Sequence, residues 1–188
     1  MTATVAWVAG QPVSEAEVDE RERRVRAGTL ASALPRPDTS EGRQLRRWLT
    51  QLLVAERVVA REPADADPPP LTDVLPDAAA RLEIGSIAAA VLESDHARAV
   101  FARVTAAVTS TEDQVAAYHA RNPTRFGPRR TAISLTQARP AITAHLTAAA
   151  RRRTFRRWLD SRCADVVRLA PGYEHPGDPR QPDNTHRH

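Results

Sequence analysis

The residues of this chain that could do chemistry are concentrated in its last stretch, GYEHPGDPRQPDNTHRH. His175, His186 and His188 are three of the six histidines, and Asp178 and Asp183 add carboxylates. His186 and His188 flank a single residue, so an extended backbone places both imidazoles on the same side. Together with His175 and one carboxylate they could form a two- or three-histidine set for a divalent metal. One interpretation of the tail is therefore a metal or acid–base site.

Two other interpretations of the tail, residues 171–188, remain open. Its content of Pro, Asp and Asn is typical of a disordered polar segment. It could also pack as an ordered strap anchored by Tyr173. No signature of any reaction class appears anywhere in the chain, so catalytic residues stay unassigned and whether the protein is an enzyme stays open.

The composition limits the class of protein. The chain has 188 residues, of which 41% are hydrophobic and only 4% aromatic, so we expect one domain with a core of Ala, Val and Leu. All 27 basic residues are Arg, against 23 acidic residues. The absence of Lys and the abundance of Ala are what a GC-rich genome produces, so this charge is weak evidence for an anionic partner.

The single Cys163 excludes an intrachain disulfide and a cysteine-based zinc site. No stretch approaches the roughly 20 apolar residues of a membrane span. The N-terminus also lacks the basic region of a signal peptide. These features predict a soluble cytoplasmic protein that does not contact membranes.

The elements that would position these residues are mostly helices. Alternation in TVAWVAG predicts a short strand followed by a turn at residues 10–12. Ser14 and Glu17 form the S-x-x-E capping box of a helix over residues 14–27. Residues 43–62 carry the clearest apolar stripe of a helix. The segment PADADPPP, residues 63–70, is typical of a stiff linker.

The second half of the chain repeats this pattern. Residues 76–104 are predicted to be helical, with interruptions at Gly85 and near Ser94. Thr111 and Gln114 form a second capping box. A strand is expected at residues 131–135. A long helix from Pro140 to about Ala164 and a short strand at residues 165–169 complete the chain.

Several of these segments resemble parvulin-type foldases of the SurA and PrsA kind. VAWVAGQPVSEAEVDERERRV is similar to the strand, V-N-G-x-x-I turn and capped helix that open their chaperone domain, with Ala9 in place of the Asn and Val13 in place of the Ile. RQLRRWLTQLLVAERVVARE is similar to the second helix of that family. TSTEDQVAAYHARNPTRFGPRRTAISL looks like the segment that leads into the isomerase domain. The resemblance covers residues 4–62 and 108–170.

One length departs from the family. In these foldases an isomerase domain lies between the Arg-Phe segment and the last helix, whereas only about a dozen residues separate Phe126 from Pro140 here. Autonomous domains need about 40 residues or more. The resemblance thus implies a mostly α, SurA-like helical chaperone domain over residues 1–170, followed by the His/Pro-rich tail. We expect its few short strands to come from the chain termini, with Thr4–Val8 paired to residues 165–169, and from the 103–109 or 131–135 region.

The function that this resemblance implies is a chaperone-like binding or assembly protein without isomerase activity. It would hold a partner polypeptide in an apolar groove, for which the candidate residues are Trp7, Trp48, Leu52, Phe155 and Trp158. No cofactor is expected for this function. The sequence leaves a homodimer open.

The alternative is an enzyme or metal-binding protein of a specialised-metabolite pathway that uses the His-rich tail on a small-molecule intermediate. The chain also resembles small actinobacterial proteins from polyketide gene sets, some labelled malonyl-transacylase-like. That label fails on chemistry, because an acyltransferase needs a nucleophile elbow of the form G-x-S-x-G. The only Gly-Ser pair, Gly85-Ser86, lies in a helical pattern without the second glycine.

Two further patterns receive a structural interpretation. The run RRRTFRRWLD alternates arginines with Phe155 and Trp158, as a nucleic-acid surface does. Helical spacing, however, places the apolar residues on one face and most of the arginines on the other, so nucleic acid is not an expected partner. His96, His119 and His145 lie in helical patterns, and they would form an acid–base site only if they converged with the tail.

Overall fold

The computed structural model describes residues 3–29 and 31–174. Most of these residues are helical, and three short strands form one sheet. The elements are β1 (Thr4–Val8), β2 (Gln11–Ser14), α1 (Glu15–Arg26), α2 (Ser40–Ala60), α3 (Leu71–Val74), α4 (Ala78–Ile84), α5 (Ser86–Val91), α6 (Asp95–Val104), α7 (Glu112–Arg121), α8 (Leu135–Val166) and β3 (Val167–Leu169). Short 3₁₀ turns lie at Ala31–Ala33 and Pro128–Arg130. Within these residues, no helix combines the length and apolar character that a membrane span requires.

The chain divides into two compact units. Unit 1 contains the residues up to Pro63 and those from Leu159 onward, and unit 2 contains Ala64–Trp158. The boundary at Pro63 coincides with the start of the predicted linker. The prediction of one domain over residues 1–170 stays a prediction.

Unit 1 contains the sheet, whose strand order is β2-β1-β3. β1 pairs antiparallel with β3, with Ala6 opposite Leu169 and Val8 opposite Val167. This pairing confirms that the two ends of the described chain meet in one sheet. A further strand, β2, replaces part of the predicted turn and includes Pro12. β2 is an edge strand, where a proline is tolerated because its missing N–H is not needed by a neighbour.

A tight turn joins β1 to β2. Its two residues, Ala9 and Gly10, have φ values of +47° and +81°. Two consecutive residues in the left-handed region define the hairpin turn that favours Asn-Gly, because Asn tolerates that region better than Ala does. The predicted turn is therefore present, but it is shorter and more twisted than a loop over residues 10–12.

Helices α1 and α2 pack on the sheet of unit 1. The carboxylate of Glu17 accepts hydrogen bonds from both the backbone N–H and the hydroxyl of Ser14, each at 2.9 Å, which confirms the first capping box. Burial of small aliphatic side chains supplies the core, as the composition predicts. Its members include Val5, Val8, Val13, Val18, Leu49, Leu52 and Val58.

Ion pairs connect α1 to α2. Arg46 on α2 contacts Asp19 at 2.6 Å and Glu22 at 3.1 Å on α1. Burial alone would lower the pKa of Arg46, but its hydrogen bonds to Asp19 and Glu22 raise it above its usual value. Arg21 pairs with Glu56 and Arg57 pairs with Glu17 between the same two helices. Guanidinium groups in unit 1 thus hold its helices together.

Unit 2 begins with the predicted interrupted helical stretch. α4 ends and α5 begins at Gly85, where φ is +90°, and Ser94 caps α6 by accepting a hydrogen bond from the Ala97 N–H. Both interruptions are confirmed. The helices bury a core that includes Ile84, Ala88, Val91, Leu92, Val100, Phe101 and Phe155.

The strands expected at 103–109 or 131–135 are wrong. Helix α6 continues to Val104, and residues 131–134 form no strand. Ser134 instead caps α8 in a capping box with Gln137, which places the start of that helix at Leu135 rather than near Pro140. Pro140 lies inside the helix, where its missing N–H leaves the Thr136 carbonyl without a helical partner.

Candidate functional site

The three histidines predicted to bind metal, His175, His186 and His188, lie outside the described residues. Their metal set therefore stays a prediction. Between residues 3 and 174, apart from residue 30, no group of three or more His, Cys, Asp or Glu side chains could hold a metal ion.

The first residues of the tail belong to unit 1 and are ordered by hydrogen bonds. Gln51 donates to the Tyr173 carbonyl at 3.2 Å. The Tyr173 N–H donates to the Ala170 carbonyl at 3.1 Å. Tyr173 thus contacts α2. The strap interpretation of the tail stays a prediction, since residues 175–188 lie outside the described part of the chain.

The five predicted groove residues fall in both units. Leu52 in unit 1 and Phe155 in unit 2 are 5% and 0% exposed, so they belong to the cores. The three tryptophans are half-buried. The Arg168 guanidinium on β3 lies over the Trp7 ring on β1 in a cation–π contact. Its central carbon is 4.1 Å from the centre of the ring. Trp158 lies 5.3 Å from Phe155.

Most arginines of the run on α8 face solvent, as helical spacing predicts, but one of them is buried. Arg153, Arg156 and Arg157 are exposed, whereas Arg152 is only 6% exposed. Arg152 donates to Glu83 at 2.8 Å and to the Val74 carbonyl at 3.3 Å. Arg153 shares the same carboxylate from the exposed side at 2.8 Å. Arg152 is therefore part of the core of unit 2.

The three helical histidines, His96, His119 and His145, all lie in unit 2, and contacts of the last two are described here. His119 Nε2 is 2.8 Å from the Ile133 carbonyl, so this nitrogen carries the proton and holds the loop after α7. His145 is in a cluster of rings, with Tyr118 at 5.4 Å and Phe126 at 5.9 Å between ring centres. Burial lowers the pKa of His145, and the positive charges of Arg125 and Arg152 lower it further.

These rings lie next to the packing of α7 on α8. Val115 on α7 is buried against Ala138 and Ile142 on α8. Tyr118 and Leu146 pack against this cluster and stay half-buried. The capping box at Thr111 and Gln114 fixes the start of α7, with the Thr111 N–H donating to Gln114 at 2.9 Å. The sequence predicted this short helix, but not the groove beside it.

A cleft of about 410 Å³ runs between α7 and α8, and we call it the α7–α8 cleft. Its floor is apolar, whereas its ends are charged or polar. Asp113 and Gln114 lie in the first turn of α7 and Arg121 in its last turn, about 12 Å away along the helix. The lining residues are Thr109, Asp113, Gln114, Ala117, Tyr118, Arg121, Leu146, Ala150 and Arg153.

A second cleft, about 300 Å³, uses a different set of α8 residues together with α6 and α3. It is lined by Pro69, Asp73, Val74, Phe101, Ala144, Thr147, Ala148 and Arg151. Phe101 and Val74 are both buried, so they contribute little accessible surface. Its apolar surface consists mainly of small side chains, which offer less contact area than Tyr118 and Leu146.

A third cleft, about 580 Å³, lies in the loop after α7, and we call it the arginine cleft. Arg121, Asn122, Pro123, Thr124, Arg125 and Arg130 line it, so among the described residues it presents three guanidinium groups and no carboxylate. Arg121 lines both this cleft and the α7–α8 cleft. The two clefts are therefore neighbours in unit 2.

Sequence reasoning missed the arginine cleft, although a signal for it was present. Asn122-Pro123 and Gly127-Pro128 are turn dipeptides that predict a tightly folded loop. The arginines on either side of those turns are then brought together by the chain reversal. The backbone confirms the reversal, since the Ile133 N–H donates to the Pro123 carbonyl at 3.4 Å.

The Gly85-Ser86 pair lies between two helices. Gly85 ends α4 and Ser86 is the first residue of α5, so no strand leads into the serine. A nucleophile elbow requires a strand followed by a helix. The rejection of a transacylase site on sequence grounds therefore agrees with the backbone.

Comparison with known proteins gives one local match. Residues 4–41 match a family of unknown function (DUF7158). The match covers β1, β2 and α1 and ends at the start of α2, so it lies entirely in unit 1. No curated protein and no solved structure matches the chain.

Proposed function

We propose that the protein is a chaperone-like binding or assembly factor that holds a segment of a partner polypeptide in the α7–α8 cleft. The observation that carries the proposal is the apolar floor of that cleft, formed by Tyr118 and Leu146, between charged ends at Asp113 and Arg121. A groove between two helices is a recurring site for polypeptide segments. The parvulin-foldase resemblance of the segment that contains α7 is consistent with this function.

The size and lining of the cleft suit a polypeptide side chain. Its volume of about 410 Å³ lies within the roughly 300–1,000 Å³ that binding sites occupy. Tyr118 is half-buried and carries both an aromatic ring and a hydroxyl, and tyrosine is one of the residues that most often anchor interfaces. The rim supplies Arg121, Arg153 and Gln114 as partners for backbone carbonyls and polar side chains.

The location of the cleft differs from the groove predicted from the sequence. The proposed surface uses Leu146 and Ala150 of α8, and its other wall is α7. Phe155, also on α8, lies in the core and packs against Phe101 on α6.

The proposal is tested by filling the cleft. Ala117 is exposed and lines the cleft, whereas its neighbour Ala116 is equally exposed and does not. We expect Ala117→Trp to weaken binding about tenfold, because the indole occupies the space of the partner's side chain. Ala116→Trp, the matched control on the same helix, should bind as the natural chain does.

The measurement is fluorescence anisotropy of a labelled peptide with a central leucine-rich segment flanked by glutamines. Circular dichroism establishes that both variants keep the helical content of the natural chain. Equal affinities for the two variants would show that peptide does not occupy the α7–α8 cleft. If the peptide does not bind the natural chain at all, the proposed function is wrong.

A further inference from the structure

We infer that the arginine cleft binds an acidic segment of the same partner polypeptide whose apolar side chain occupies the α7–α8 cleft. This inference rests on the proposed function and adds the chemistry of the partner: an apolar anchor next to a run of Asp or Glu. The physical link is Arg121, whose side chain lines both clefts.

The charge of the arginine cleft is uncompensated in the part of the chain that the structure describes. Arg121, Arg125 and Arg130 line it without any carboxylate, and none of the three forms an ion pair there. Arg121 donates from Nε to the Ala117 carbonyl at 3.1 Å, which fixes its stem and leaves its other N–H groups available. Planar guanidinium groups match carboxylates in bidentate geometry.

The backbone of the loop holds these groups in a strained arrangement. Arg129 and Arg130 have φ values of +51° and +60°, in the left-handed region that side-chain-bearing residues rarely adopt. A Cβ on Gly127 would lie 1.8 Å from the Thr131 carbonyl oxygen, so the chain folds back closely at this point. Strained backbone clusters at ligand-binding sites, where surrounding contacts hold it in place.

An acidic polypeptide fits this surface better than a nucleic acid does. Single-stranded nucleic acid binding uses exposed aromatic rings on which bases stack. The rings nearest to the arginine cleft, Tyr118 and Phe126, are half-buried and pack on each other at 6.2 Å and on His145. A protein partner can also place an aliphatic side chain in the adjacent α7–α8 cleft. Nucleic acid and free phosphate have no such side chain.

The test compares three labelled peptides that share the leucine-rich centre. The first has glutamines on both sides, the second has glutamates before the centre, and the third has glutamates after it. We expect one acidic peptide to bind the natural chain about fivefold more tightly than the glutamine peptide, because charge-assisted hydrogen bonds add to the apolar contact. That advantage should shrink as salt is raised, since exposed charges are screened.

Arg130→Gln should abolish the advantage of the acidic peptide and leave the affinity for the glutamine peptide unchanged. Arg129→Gln is the matched control, because Arg129 has the same charge and a similar backbone but does not line the cleft. The Arg129→Gln variant should keep most of the gain in affinity that the acidic peptide shows over the glutamine peptide.

Each outcome separates the inference from the function on which it rests. If all three peptides bind the natural chain equally, the inference is overturned and the proposed function stands. If none binds, the proposed function fails and the inference fails with it. If tripolyphosphate displaces the acidic peptide more strongly than hexaglutamate does, the arginine cleft selects phosphate, and an acidic polypeptide is the wrong occupant.

Discussion

Two regions of this protein use arginine in opposite ways: the contact between α1 and α2 in unit 1 and the loop after α7 in unit 2. In unit 1, Arg21, Arg46 and Arg57 on facing helices each contact a carboxylate. In the loop of unit 2, Arg125 and Arg130 line an open cleft to which residues 3–29 and 31–174 contribute no carboxylate. A paired guanidinium contributes to the stability of the fold, whereas an unpaired one at a cleft is available to a ligand. The arginine content alone, which gave little information in the sequence, becomes informative once pairing is known.

The largest effect is expected at Arg152, which lies in unit 2 but is paired with the carboxylate of Glu83. We expect Arg152→Ala to lower the free energy of unfolding by about 2–3 kcal/mol, since it removes a buried charge-assisted hydrogen bond to Glu83 and leaves a cavity. Arg153→Ala removes the exposed contact to the same carboxylate and should change stability by less than about 0.5 kcal/mol. Urea denaturation measures both. Equal losses would mean that burial and pairing of Arg152 contribute little.

The next test compares a paired and an unpaired arginine directly. We expect Arg46→Met to destabilise the protein by about 1–2 kcal/mol, because its three carboxylate contacts on α1 are lost. Arg130→Met should change the free energy of unfolding by less than about 0.5 kcal/mol, since it breaks no ion pair among the described residues. Both are measured by urea denaturation. A larger loss for Arg130→Met would reveal a structural role for the arginine cleft.

The pairing in unit 1 also predicts a pH dependence. Burial raises the pKa of Glu17, but hydrogen bonds from Ser14 and the charge of Arg57 outweigh it and lower that pKa below its ordinary value. A carboxyl group with a lowered pKa stabilises the folded state above its unfolded pKa, and this contribution is lost as pH falls through the folded pKa. The stability difference between the natural chain and Glu17→Gln should therefore be constant near neutral pH and shrink below about pH 4.5. Denaturation at a series of pH values measures it, and a difference that does not change with pH would contradict the pairing.

The smallest effect concerns the unpaired arginines themselves. The charge of Arg125 is one cause of the lowered pKa of His145, after burial. We expect Arg125→Gln to raise the pKa of His145 towards its ordinary value, and Arg129→Gln to leave it nearly unchanged. Histidine ring resonances followed by NMR during a pH titration report this pKa. An unchanged value in Arg125→Gln would show that the charge in the arginine cleft is screened from the ring cluster.

Local rules predicted much of the fold. The capping boxes at Ser14 and Thr111 and the breaks at Gly85 and Ser94 were predictable, because each depends on a few neighbouring residues. The pairing of the first and last strands was predicted from the foldase resemblance, because alternation indicates a strand but not its partner. Errors arose where two signals competed. Pro140 favours a helix start at that residue, but the Ser134–Gln137 capping box begins α8 at Leu135 and leaves the proline inside the helix.

The candidate site was less predictable. A stripe of apolar residues marks which face of a helix is buried, but it does not distinguish core from groove, so Leu52 and Phe155 were assigned to a groove and lie in the cores. The arginine cleft depends on a chain reversal at Gly127 and on unusual φ values at Arg129 and Arg130, which periodicity does not show. The metal prediction for His175, His186 and His188 stays untested, since these residues lie outside the described part of the chain.

The most direct test of the account is to map the bound peptide by NMR on the isotopically labelled full chain. We expect the leucine-rich acidic peptide to shift backbone resonances at Ala117, Tyr118, Arg121 and Leu146 and in residues 122–130. Residues of the Arg46 network in unit 1 should keep their positions. Shifts confined to unit 1, or absent from both clefts of unit 2, would contradict the claim that unpaired arginines beside an apolar floor mark the binding surface.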